Sequence, residues 1–312
     1  MWLKLPGYLG GIILLLICCK SSDKPNVSAT ESERLEFPAE LVTFTAHSGN
    51  PVFKGSGKPH WDEHIRERGF ILFEDQQYFL WYTGYREGEN ETMSLGLATS
   101  DDGYVWHRHP ANPVFDSLWT EDMMVVKSDS TYYMFAEGRH DIAHLLTSVD
   151  KINWTDQGSL DIRKADGTPI ESGPYGTPTV WVEEDIWYLF YERNDEGVWL
   201  AKSKDRLTWV NVQDKPVLEK GPETYDKYGL AMNQVIKHKG KYYGYYHGTA
   251  FSDWSEWSTN LAVSNDLIHW KKYPGNPILR ENKSSGILVD NGVEWRLYSM
   301  HPEVCAHVSP KK

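Results

Sequence analysis

The sequence predicts an all-β fold, a five-bladed β-propeller whose ring is closed by an N-terminal strand that completes the last blade. One short pattern, Ser-x-Asp-x-x-x-Trp, occurs four times, and its successive tryptophans lie 48, 55 and 61 residues apart. Periods of this length suit a four-stranded blade with loops of variable length. A second phrase, Asn-Pro-Val-Phe or a close variant, occurs at 50–53, 112–115, 215–218 and 276–279.

The Ser-x-Asp-x-x-x-Trp pattern predicts the outer half of each blade. Its serine ends a third strand, its aspartate builds a turn, and its tryptophan anchors the outermost strand. These residues are therefore interpreted as structural. The four copies are Ser100/Asp102/Trp106, Ser148/Asp150/Trp154, Ser203/Asp205/Trp209 and Ser264/Asp266/Trp270.

The inner half of each blade is predicted from a hairpin pattern, which is clearest at 60–82. A charged and aromatic cluster opens this stretch and is followed by an apolar run, Phe70–Phe73. A polar turn then leads into a second apolar run, Tyr78–Tyr82. Two strand-like runs on either side of a short polar turn are typical of a β-hairpin.

The ring is predicted to close between the two ends of the propeller. Near the C-terminus, strand patterns at 286–290, 295–300 and 304–309 supply three strands of a blade. The segment Leu41–Ala46, which precedes the first Asn-Pro-Val-Phe phrase, takes the place of the fourth. Such closure removes the exposed sheet edges that an open array would leave.

Residues 1–19 are typical of an export signal, with Lys4 followed by the apolar run Ile12–Ile17. The apolar run is too short for a transmembrane helix. Cys18 and Cys19 end this segment and resemble the cysteine of a bacterial lipoprotein signal, with Cys19 the better candidate for lipidation because Cys18 follows a bulky isoleucine. A plain secretory signal that is cleaved nearby is the alternative.

The predicted organisation is therefore a signal at 1–19, a polar tether at 20–39 and a propeller at 40–312. The protein is expected to be an exported bacterial lipoprotein of the periplasm or the outer-membrane surface, touching the membrane only through its lipid anchor. Only one further cysteine, Cys305, is present, which excludes a disulfide framework. The formal net charge of -12 argues against a nucleic-acid partner.

Polar residues recur at one end of the inner strands when the five units are aligned on their hairpin turns. The first inner strands begin at Glu67-Arg68, Glu121-Asp122, Gly176-Thr177, Met232 with Asn233-Gln234, and Ser285. The second strands end at Thr83-Gly84-Tyr85, Glu137-Gly138-Arg139-His140, Glu192-Arg193-Asn194, His247-Gly248 and Met300-His301. Ionisable groups from several blades are thus predicted to meet at one mouth of the central funnel.

This arrangement resembles the five-bladed β-propeller glycosidases, which are glycoside hydrolase families 43, 32, 68 and 117, with family 130 as a phosphorylase relative. The resemblance covers residues 40–309 and lies in architecture more than in sequence identity. Those enzymes place acidic residues at the starts of the inner strands of blades one to three, around a pocket on the axis. The resemblance implies a site at Glu121 and Asp122 in blade two and at Glu67 in blade one.

In blade three the resemblance leaves two acids open. The phrase at 171–174, Glu-Ser-Gly-Pro, looks like the Glu-Gly-Pro phrase of family 43 and implies Glu171. The strict strand register instead puts Gly176 and Thr177 at that position, so Glu192 at the end of the next strand is an equal candidate. Family 117 is able to use a histidine as the acid, which adds His247 and His301.

Glycoside hydrolysis requires a protonated group at the leaving oxygen and a carboxylate that acts as base or nucleophile. Glu67, flanked by two arginines, is predicted to be ionised and to serve as the base or its orienting partner. Asp122 is predicted as base or transition-state stabiliser, and Glu192 as the acid, with Glu171 and His247 next. The predicted substrate contacts are Trp61, Asp62, Arg68, Glu137, Arg139, Tyr175, Thr177, Arg193, Asn233, Gln234 and His301.

Three arginines, Arg68, Arg139 and Arg193, have two interpretations. They either pair with the acids of the site or bind a carboxylate or sulfate group of the substrate. No tight zinc-ligand spacing occurs in the sequence, so no cofactor or metal is predicted, although the histidines near the mouth leave a divalent cation open.

These expectations combine into one function, an exo-acting glycosidase for oligosaccharides from plant or algal polysaccharides, with uronic and sulfated sugars included. One alternative is a glycoside phosphorylase of the same fold, against which the predicted export argues. The other is a non-catalytic sugar-binding propeller. Because the blades differ most at the funnel mouth, one asymmetric site is favoured, although a shared fold alone does not establish catalysis.

Overall fold

The computed structural model describes residues 36–88 and 92–310, which form five β-sheets in a five-bladed propeller. The predicted signal at 1–19, with Cys18 and Cys19, and most of the predicted tether lie outside the described residues. In the described part of the chain, no helix has the length and apolar character needed to cross a bilayer.

The elements follow one another in blade order. A short helix, α1 (Ala39–Val42), and strand β1 (Thr45–Ala46) come first. Blade one contains β2 (His64–Glu74), β3 (Gln77–Tyr85), β4 (Ser94–Ser100) and β5 (His107–Arg108). Blade two contains β6 (Glu121–Ser128), β7 (Thr131–Glu137), β8 (Ala143–Ser148) and β9 (Thr155–Ser159).

The remaining blades vary more in their outer strands. Blade three contains β10 (Asp161–Arg163), β11 (Gly176–Glu183), β12 (Ile186–Glu192), β13 (Gly197–Ser203), β14 (Thr208–Asn211) and β15 (Leu218–Glu219). A 3-10 turn, Thr224–Asp226, leads into blade four, which contains β16 (Gly229–His238), β17 (Lys241–Thr249), β18 (Ser258–Ser264) and β19 (Trp270–Lys272). Blade five contains β20 (Ile287–Asp290), β21 (Trp295–Ser299) and β22 (Cys305–Val308).

The N-terminal strand closes the ring, as the sequence predicts, but it is shorter than the predicted segment Leu41–Ala46, because Leu41 and Val42 belong to α1 and the strand spans Thr45–Ala46. Strand β1 pairs antiparallel with β22, with Thr45 opposite Val308 and Ala46 opposite His307, so it is the fourth strand of blade five. Each innermost strand contacts the innermost strand of the next blade, and β20 contacts β2. The five inner strands therefore surround one axis, which brings their N-terminal ends to a common mouth.

In blades one, three and four the inner hairpin turns through two residues with positive φ, the geometry that matches the twist of a β-hairpin. In blade one these residues are Asp75 (φ 51°) and Gln76 (φ 62°), and in blade three they are Glu184 (φ 50°) and Asp185 (φ 63°). The short turns fix which end of each inner strand faces the funnel mouth.

The Ser-x-Asp-x-x-x-Trp pattern forms the same turn in each copy, and blade three shows its geometry. The Oδ1 atom of Asp205 accepts the backbone amides of Leu207 (3.0 Å) and Thr208 (2.8 Å), and Ser203 Oγ donates to the same oxygen (3.0 Å). The indole of Trp209 donates to the Arg206 carbonyl (3.0 Å) and is fully buried. The pattern is thus structural, as expected.

A buried cluster in blade one joins four side chains that are distant in sequence. Asp62 Oδ2 accepts hydrogen bonds from the Tyr82 hydroxyl (3.0 Å) and Arg108 Nε (2.6 Å), and Asn112 Nδ2 donates to the same hydroxyl (3.2 Å). Asp62 is only 1% exposed. The Asp62 carboxylate therefore bonds to other side chains of blade one. The expected substrate contact at Asp62 is replaced by a structural role.

Blade four repeats this cluster with identical sequence spacing. Asp226 Oδ2 accepts hydrogen bonds from the Tyr246 hydroxyl (3.2 Å) and forms an ion pair with Lys272 Nζ (2.5 Å). Asn276 Nδ2 donates to Tyr246 (3.3 Å). The Asp, Tyr, base and Asn of the two clusters are separated by 20, 26 and 4 residues in both blades. This second internal repeat is a sequence signal that supports the blade assignment independently.

Replacing Asp226 by alanine is expected to lower the free energy of unfolding by about 3 kcal/mol, because it leaves a partly buried lysine and a buried tyrosine hydroxyl without their common acceptor. Urea denaturation measures this loss. The matched control is Glu196→Ala, which removes the exposed partner of Lys220 (2.6 Å) and should change stability by less than about 1 kcal/mol. Equal losses for the two substitutions would show that the cluster stabilises the fold no more than an exposed ion pair does.

Candidate active site

A cavity of about 370 Å³ lies at the funnel mouth and is lined by residues of all five blades. Most of its lining side chains are polar or ionisable. The lining residues are Arg66, Glu121, Asp122, Glu137, Asp141, Thr177, Glu192, Asn194, Asp195, His247, Trp254, Trp257, Ser284 and Ser285. The structure therefore brings together Glu121, Asp122, Glu137, Thr177, Glu192 and His247 of the residues predicted from sequence.

A β-bulge near the start of the inner strand aims side chains into this cavity. The pairing register shifts within β2, β6, β11 and β16, each time close to the mouth. Within two of these bulges, Asp122 (φ 45°) and Thr177 (φ 43°) adopt the left-handed backbone region, which is unusual for residues other than glycine. Bulges of this kind re-aim side chains next to functional sites.

Arg68 lies beneath the cavity floor and does not line it. Its guanidinium is completely buried and donates to groups of blades two, three and four. The acceptors are the carbonyls of Asp122, Pro178, Met232 and Asn233 and the hydroxyl of Thr179. Burial lowers the pKa of Arg68 to about 10, against the opposing effect of Asp122 and Glu137. The expected substrate contact at Arg68 is thus corrected to a structural cation that connects blade one with blades two, three and four.

Asp122 is bonded to Arg68 both at its carboxylate and at its backbone carbonyl. The backbone amide of Arg68 donates to Asp122 Oδ1 (3.1 Å), while the Arg68 guanidinium donates to the Asp122 carbonyl. The side chain is buried to 7% exposure and faces the cavity. The positive charge beneath it stabilises negative charge on Asp122.

Glu137 and Glu192 place their carboxyl groups against the same backbone atom, the Cα of Gly176. A Cβ at Gly176 would lie 2.3 Å from Glu137 Oε2 and 2.6 Å from Glu192 Oε1. The backbone amide of Thr177 donates to Glu137 Oε2 (2.7 Å), and that of Gly176 donates to Glu192 Oε1 (3.1 Å). The other Glu192 oxygen accepts the Asp195 amide (2.6 Å). Only glycine leaves room for the two carboxyl groups side by side.

The protonation of these two acids follows from burial and like charge. Burial, together with Asp122, Glu121 and Glu192, raises the pKa of Glu137 well above its usual value. Burial, with a contribution from Asp141, raises the pKa of Glu192 to about 7, although two backbone amides oppose the shift. Both shifts favour the protonated form, and a pKa of about 7 puts Glu192 close to the midpoint of its titration near neutral pH.

Glu121 sits beside these acids in a different environment. Its Oε1 accepts a hydrogen bond from the indole of Trp119 (2.6 Å), and its Oε2 lies 3.4 Å from Arg66 Nε. A nearby cation and a neutral hydrogen-bond donor both favour a carboxylate. The cavity thus contains carboxyl groups in contrasting surroundings, the arrangement by which one site holds both an acid and a base.

His247 forms the blade-four wall together with two tryptophans. Its Nδ1 lies 2.9 Å from Asn233 Nδ2, and its ring meets the Trp257 ring edge to face at 4.8 Å. Burial, and then Arg68 and His301, lower the pKa of His247 to about 3. A neutral imidazole at pH 7 is suited to hydrogen bonding and does not supply an acid proton there.

The loop between β17 and β18 contributes a residue that the sequence did not single out. Trp254 lines the cavity, is 47% exposed and has its ring 6.2 Å from that of Trp257. An exposed aromatic face at a polar cavity is suited to stacking on a sugar ring. Loop residues lie outside the strand register, so the alignment of inner strands gave no signal for them. The same limit applies to Asp195 in the turn after β12.

Several predicted residues lie away from the cavity. Glu171 is exposed and pairs with Lys164 (2.6 Å), a contact that lowers the pKa of Glu171. Arg193 donates to the carbonyls of Pro174 (3.2 Å) and Glu171 (3.0 Å). An exposed carboxylate held by a cation is not a proton donor at neutral pH, so the expectation for Glu171 as acid is corrected, and Arg193 braces the same loop.

Two other predicted substrate contacts, Gln234 and Tyr175, form hydrogen bonds within the propeller instead. The side-chain amide of Gln234 is buried and bonds both the amide (2.6 Å) and the carbonyl (3.0 Å) of Leu288. The hydroxyl of Tyr175 donates to the Leu160 carbonyl (3.1 Å). These two side chains connect elements of the propeller and do not line the cavity.

The remaining predicted contacts lie near the cavity or outside the described side chains. Trp61 lines a separate surface hollow and Arg139 a neighbouring cavity. His301 is half-buried beside the floor, where burial lowers its pKa and Asp122 opposes the shift. Glu67 belongs to β2, but its side chain is outside the described part of the structure. Among the described residues, no group of three or more His, Cys, Asp and Glu side chains is arranged to hold a metal ion.

Comparison with solved structures identifies the fold. A protein of Bacteroides thetaiotaomicron that is provisionally assigned as a glycosidase has a TM-score of 0.71 at 18% identity, over 88% of this chain and 99% of that chain. A glycosyl hydrolase of Bacteroides ovatus has a TM-score of 0.69 at 17% identity, over 85% and 92%. The chain has the fold of the five-bladed β-propeller glycosidases. A β-1,2-mannobiose phosphorylase of Listeria innocua also shares it, with a TM-score of 0.64 at 14% identity, over 86% and 97%.

Sequence comparison adds little to this result. No protein-family model matches the chain. The uncharacterized protein MT1551 of Mycobacterium tuberculosis (strain CDC 1551 / Oshkosh) is 21% identical over 236 residues, which cover 70% of this chain and 75% of that protein. The predicted fold is thus confirmed, while the roles of individual site residues stay predictions.

Proposed function

We propose that this protein is a glycoside hydrolase that acts on neutral oligosaccharides. The observation that carries the proposal is the pair of buried carboxyl groups, Glu137 and Glu192, held against Gly176 with raised pKa values in the same cavity as Asp122. Structures of the same fold that are named as a glycosyl hydrolase and a mannobiose phosphorylase support a reaction at a glycosidic bond.

Glu192 is assigned as the general acid. A catalytic acid works best when its pKa lies near the operating pH, and burial raises the pKa of Glu192 to about 7. Both Glu192 oxygens already accept backbone amides, which fixes the carboxyl group in place. The pKa of Glu137 is raised well above its usual value, which favours its protonated form, and Glu137 is assigned as a hydrogen-bonding partner of a sugar hydroxyl.

Asp122 is assigned as the carboxylate that activates water or stabilises the oxocarbenium-like transition state. Its backbone geometry aims it into the cavity, and Arg68 beneath it stabilises its negative charge. His247, with its pKa lowered to about 3, is assigned as a neutral hydrogen-bonding residue. Trp254 provides an aromatic face for the sugar at the cavity rim.

The charge of the cavity favours a neutral substrate. Six carboxyl groups line it, those of Glu121, Asp122, Glu137, Asp141, Glu192 and Asp195, whereas Arg66 is the lining arginine. Binding of a carboxylate or sulfate requires cationic partners, and Arg68, Arg139 and Arg193 do not line this cavity. The expectation of uronic or sulfated substrates is therefore replaced by one of neutral sugars.

The same reasoning favours hydrolysis over phosphorolysis. A phosphorylase binds inorganic phosphate beside the sugar, and phosphate is held by several charged donors. Arg66 alone, already 3.4 Å from Glu121, is a poor match for that requirement in so acidic a cavity. The predicted export of the protein points the same way, because a sugar phosphate would form outside the cytoplasm.

A release assay tests the proposal. The purified protein is incubated with a panel of neutral oligosaccharides that includes β-1,2-mannobiose, with and without inorganic phosphate, and with uronic and sulfated oligosaccharides alongside. We expect free sugar from a neutral member and the same rate in both buffers. Formation of a sugar phosphate that requires added phosphate would establish the phosphorylase instead. Binding without any release, measured by calorimetry, would establish the non-catalytic sugar-binding propeller.

A further inference from the structure

A second cavity, of about 490 Å³, opens on blade two. Its walls come from the loop before β6, the turn between β7 and β8, and strand β9. Its size falls within the range of small-molecule sites, which is about 300–1,000 Å³. The side chains that give it its chemical character are Asp116, Trp119, Arg139, His144 and Asp156.

The second cavity shares a wall with the central one. Glu137 ends β7 and lines the central cavity, while the next two residues, Gly138 and Arg139, line the second. A direct bond crosses the wall, because the Trp119 indole, which lines the second cavity, donates to Glu121 of the central cavity (2.6 Å). A ligand that touches Trp119 is therefore one side chain away from the central carboxyl groups.

The lining groups of the second cavity suit a neutral polyhydroxylated ring. The Arg139 guanidinium lies 4.8 Å from the Trp119 ring centre, which presents an aromatic surface with an attached donor. Asp116 and Asp156 add carboxylate acceptors. Both signs of charge are thus present, with acids in excess of the one lining arginine, so an anionic ligand is disfavoured and a ring with many hydroxyl groups is favoured.

His144 is a buried polar side chain in the wall of the second cavity. It lines the second cavity, is only 4% exposed, and its Nε2 has no hydrogen-bond partner among the described residues. Burial lowers the pKa of His144, so the ring is neutral and each ring nitrogen is a donor or an acceptor. A buried polar atom without a partner is costly, which makes this wall of the cavity a polar one.

We propose that the second cavity binds the sugar unit next to the one held in the central cavity, so that the substrate extends across blade two. The inference rests on the proposed function of the central site. It assigns Arg139, Trp119 and His144 to recognition of the neighbouring sugar. The enzyme then prefers a disaccharide or longer oligosaccharide to a monosaccharide derivative with a small leaving group.

Binding is tested directly by nuclear magnetic resonance of protein labelled with ¹⁵N at the tryptophan indoles. The Trp119 signal is assigned as the one lost in Trp119→Phe, and the Trp254 signal as the one lost in Trp254→Phe. Titration with the neutral disaccharides of the release panel should shift both signals, and titration with their constituent monosaccharides should shift that of Trp254 more than that of Trp119. A disaccharide that moves Trp254 and leaves Trp119 unchanged overturns the inference.

Kinetics test the same assignment through Arg139→Ala. The kcat/KM for the cleaved disaccharide, divided by that for the glycosyl fluoride of its terminal sugar, is expected to fall about tenfold, since a charged hydrogen-bonding group is removed from one sugar only. The control is Arg163→Ala, whose arginine pairs with Asp161 (2.6 Å) on blade three and lines neither cavity. An unchanged ratio in Arg139→Ala overturns the inference.

The two experiments separate failure of the inference from failure of the proposed function. Hydrolysis with an unchanged ratio and an unmoved Trp119 signal leaves the hydrolase in place and removes the second sugar site. Absence of hydrolysis across the panel with shifts at both tryptophans removes the hydrolase and keeps a two-unit sugar site. If neither signal moves with any sugar and none is cleaved, both proposals are wrong.

Discussion

Replacing Glu192 by glutamine is expected to lower kcat for an unactivated oligosaccharide by about a thousandfold, in the middle of the range for loss of a general acid. The amide cannot deliver a proton to the leaving oxygen, yet it keeps the shape of the side chain. Its one oxygen can accept only one of the two backbone amides, those of Gly176 and Asp195, that the carboxyl group accepts. A dinitrophenyl glycoside has a leaving group that needs no proton. Its hydrolysis should therefore fall far less than that of the oligosaccharide.

The pH profile gives the same substitution a second readout. Glu192 acts in its protonated form, and burial raises its pKa to about 7. In the wild type, kcat/KM should therefore decline as the pH rises through about 7, and Glu192→Gln should lose this alkaline limb. A variant that keeps both the limb and wild-type turnover would remove Glu192 from the mechanism.

The matched control for this experiment is Glu171→Gln. Glu171 is the other blade-three acid that the sequence brings forward, but it is exposed and paired with Lys164. Its replacement should leave turnover and the pH profile unchanged. A large loss in Glu171→Gln with none in Glu192→Gln would reverse the assignment of the acid.

The fold could be predicted from the sequence because sequence patterns of the blade are repeated along the chain. The Ser-x-Asp-x-x-x-Trp turns recur at blade length, and the side chains around Asp62 and Asp226 recur with the same internal spacing. A turn closed by local hydrogen bonds constrains its own sequence, so it can be recognised without knowledge of distant contacts. The ring closure followed from the same logic, because three C-terminal strands required a fourth.

The candidate site was only partly predictable. Strand register shows which residues lie at the ends of the inner strands, but it does not show which way their side chains point. Alignment on the hairpin turns located Glu137 and Glu192, whose positions follow from strand length alone. The same alignment also predicted Arg68 as a substrate contact. That prediction was wrong because sequence cannot show that the Arg68 side chain lies beneath the cavity floor and is fully buried. Glu171 matched a short phrase without matching the register, and Trp254 lies in a loop that has no register at all.

The role of Gly176 could not be anticipated from sequence, because it depends on two side chains that meet over one Cα. Replacing Gly176 by alanine is expected to lower kcat on the order of a hundredfold, as a displacement of about 1 Å at reacting groups is able to do. The added Cβ would lie 2.3 Å from Glu137 Oε2 and 2.6 Å from Glu192 Oε1, so at least one carboxyl group must move. The positive-φ residues of the structure do not include Gly176, so its backbone conformation does not itself oppose an alanine.

Displacement of the Glu192 carboxyl group should shift the pH profile in a predictable direction. Burial and neighbouring carboxyl groups raise the pKa of Glu192, and a carboxyl group pushed from this position loses part of both effects. The pKa of Glu192 should fall, so activity in Gly176→Ala should be lost at a lower pH than in the wild type. Gly197→Ala is the control, because the nearest atoms to its Cβ would belong to the Pro216 side chain (3.0 Å) and the Leu218 carbonyl (3.2 Å), away from the cavity.

A double substitution decides whether Gly176 acts through Glu192. If alanine at position 176 works by misplacing the acid, Gly176→Ala should add little to the loss already caused by Glu192→Gln, because residues that act as one unit are not additive. Losses that multiply would show that the glycine acts elsewhere, for example by supporting the strand itself. Thermal unfolding of the four proteins separates that case, since a damaged strand lowers the midpoint in Gly176→Ala whether or not Glu192 is present.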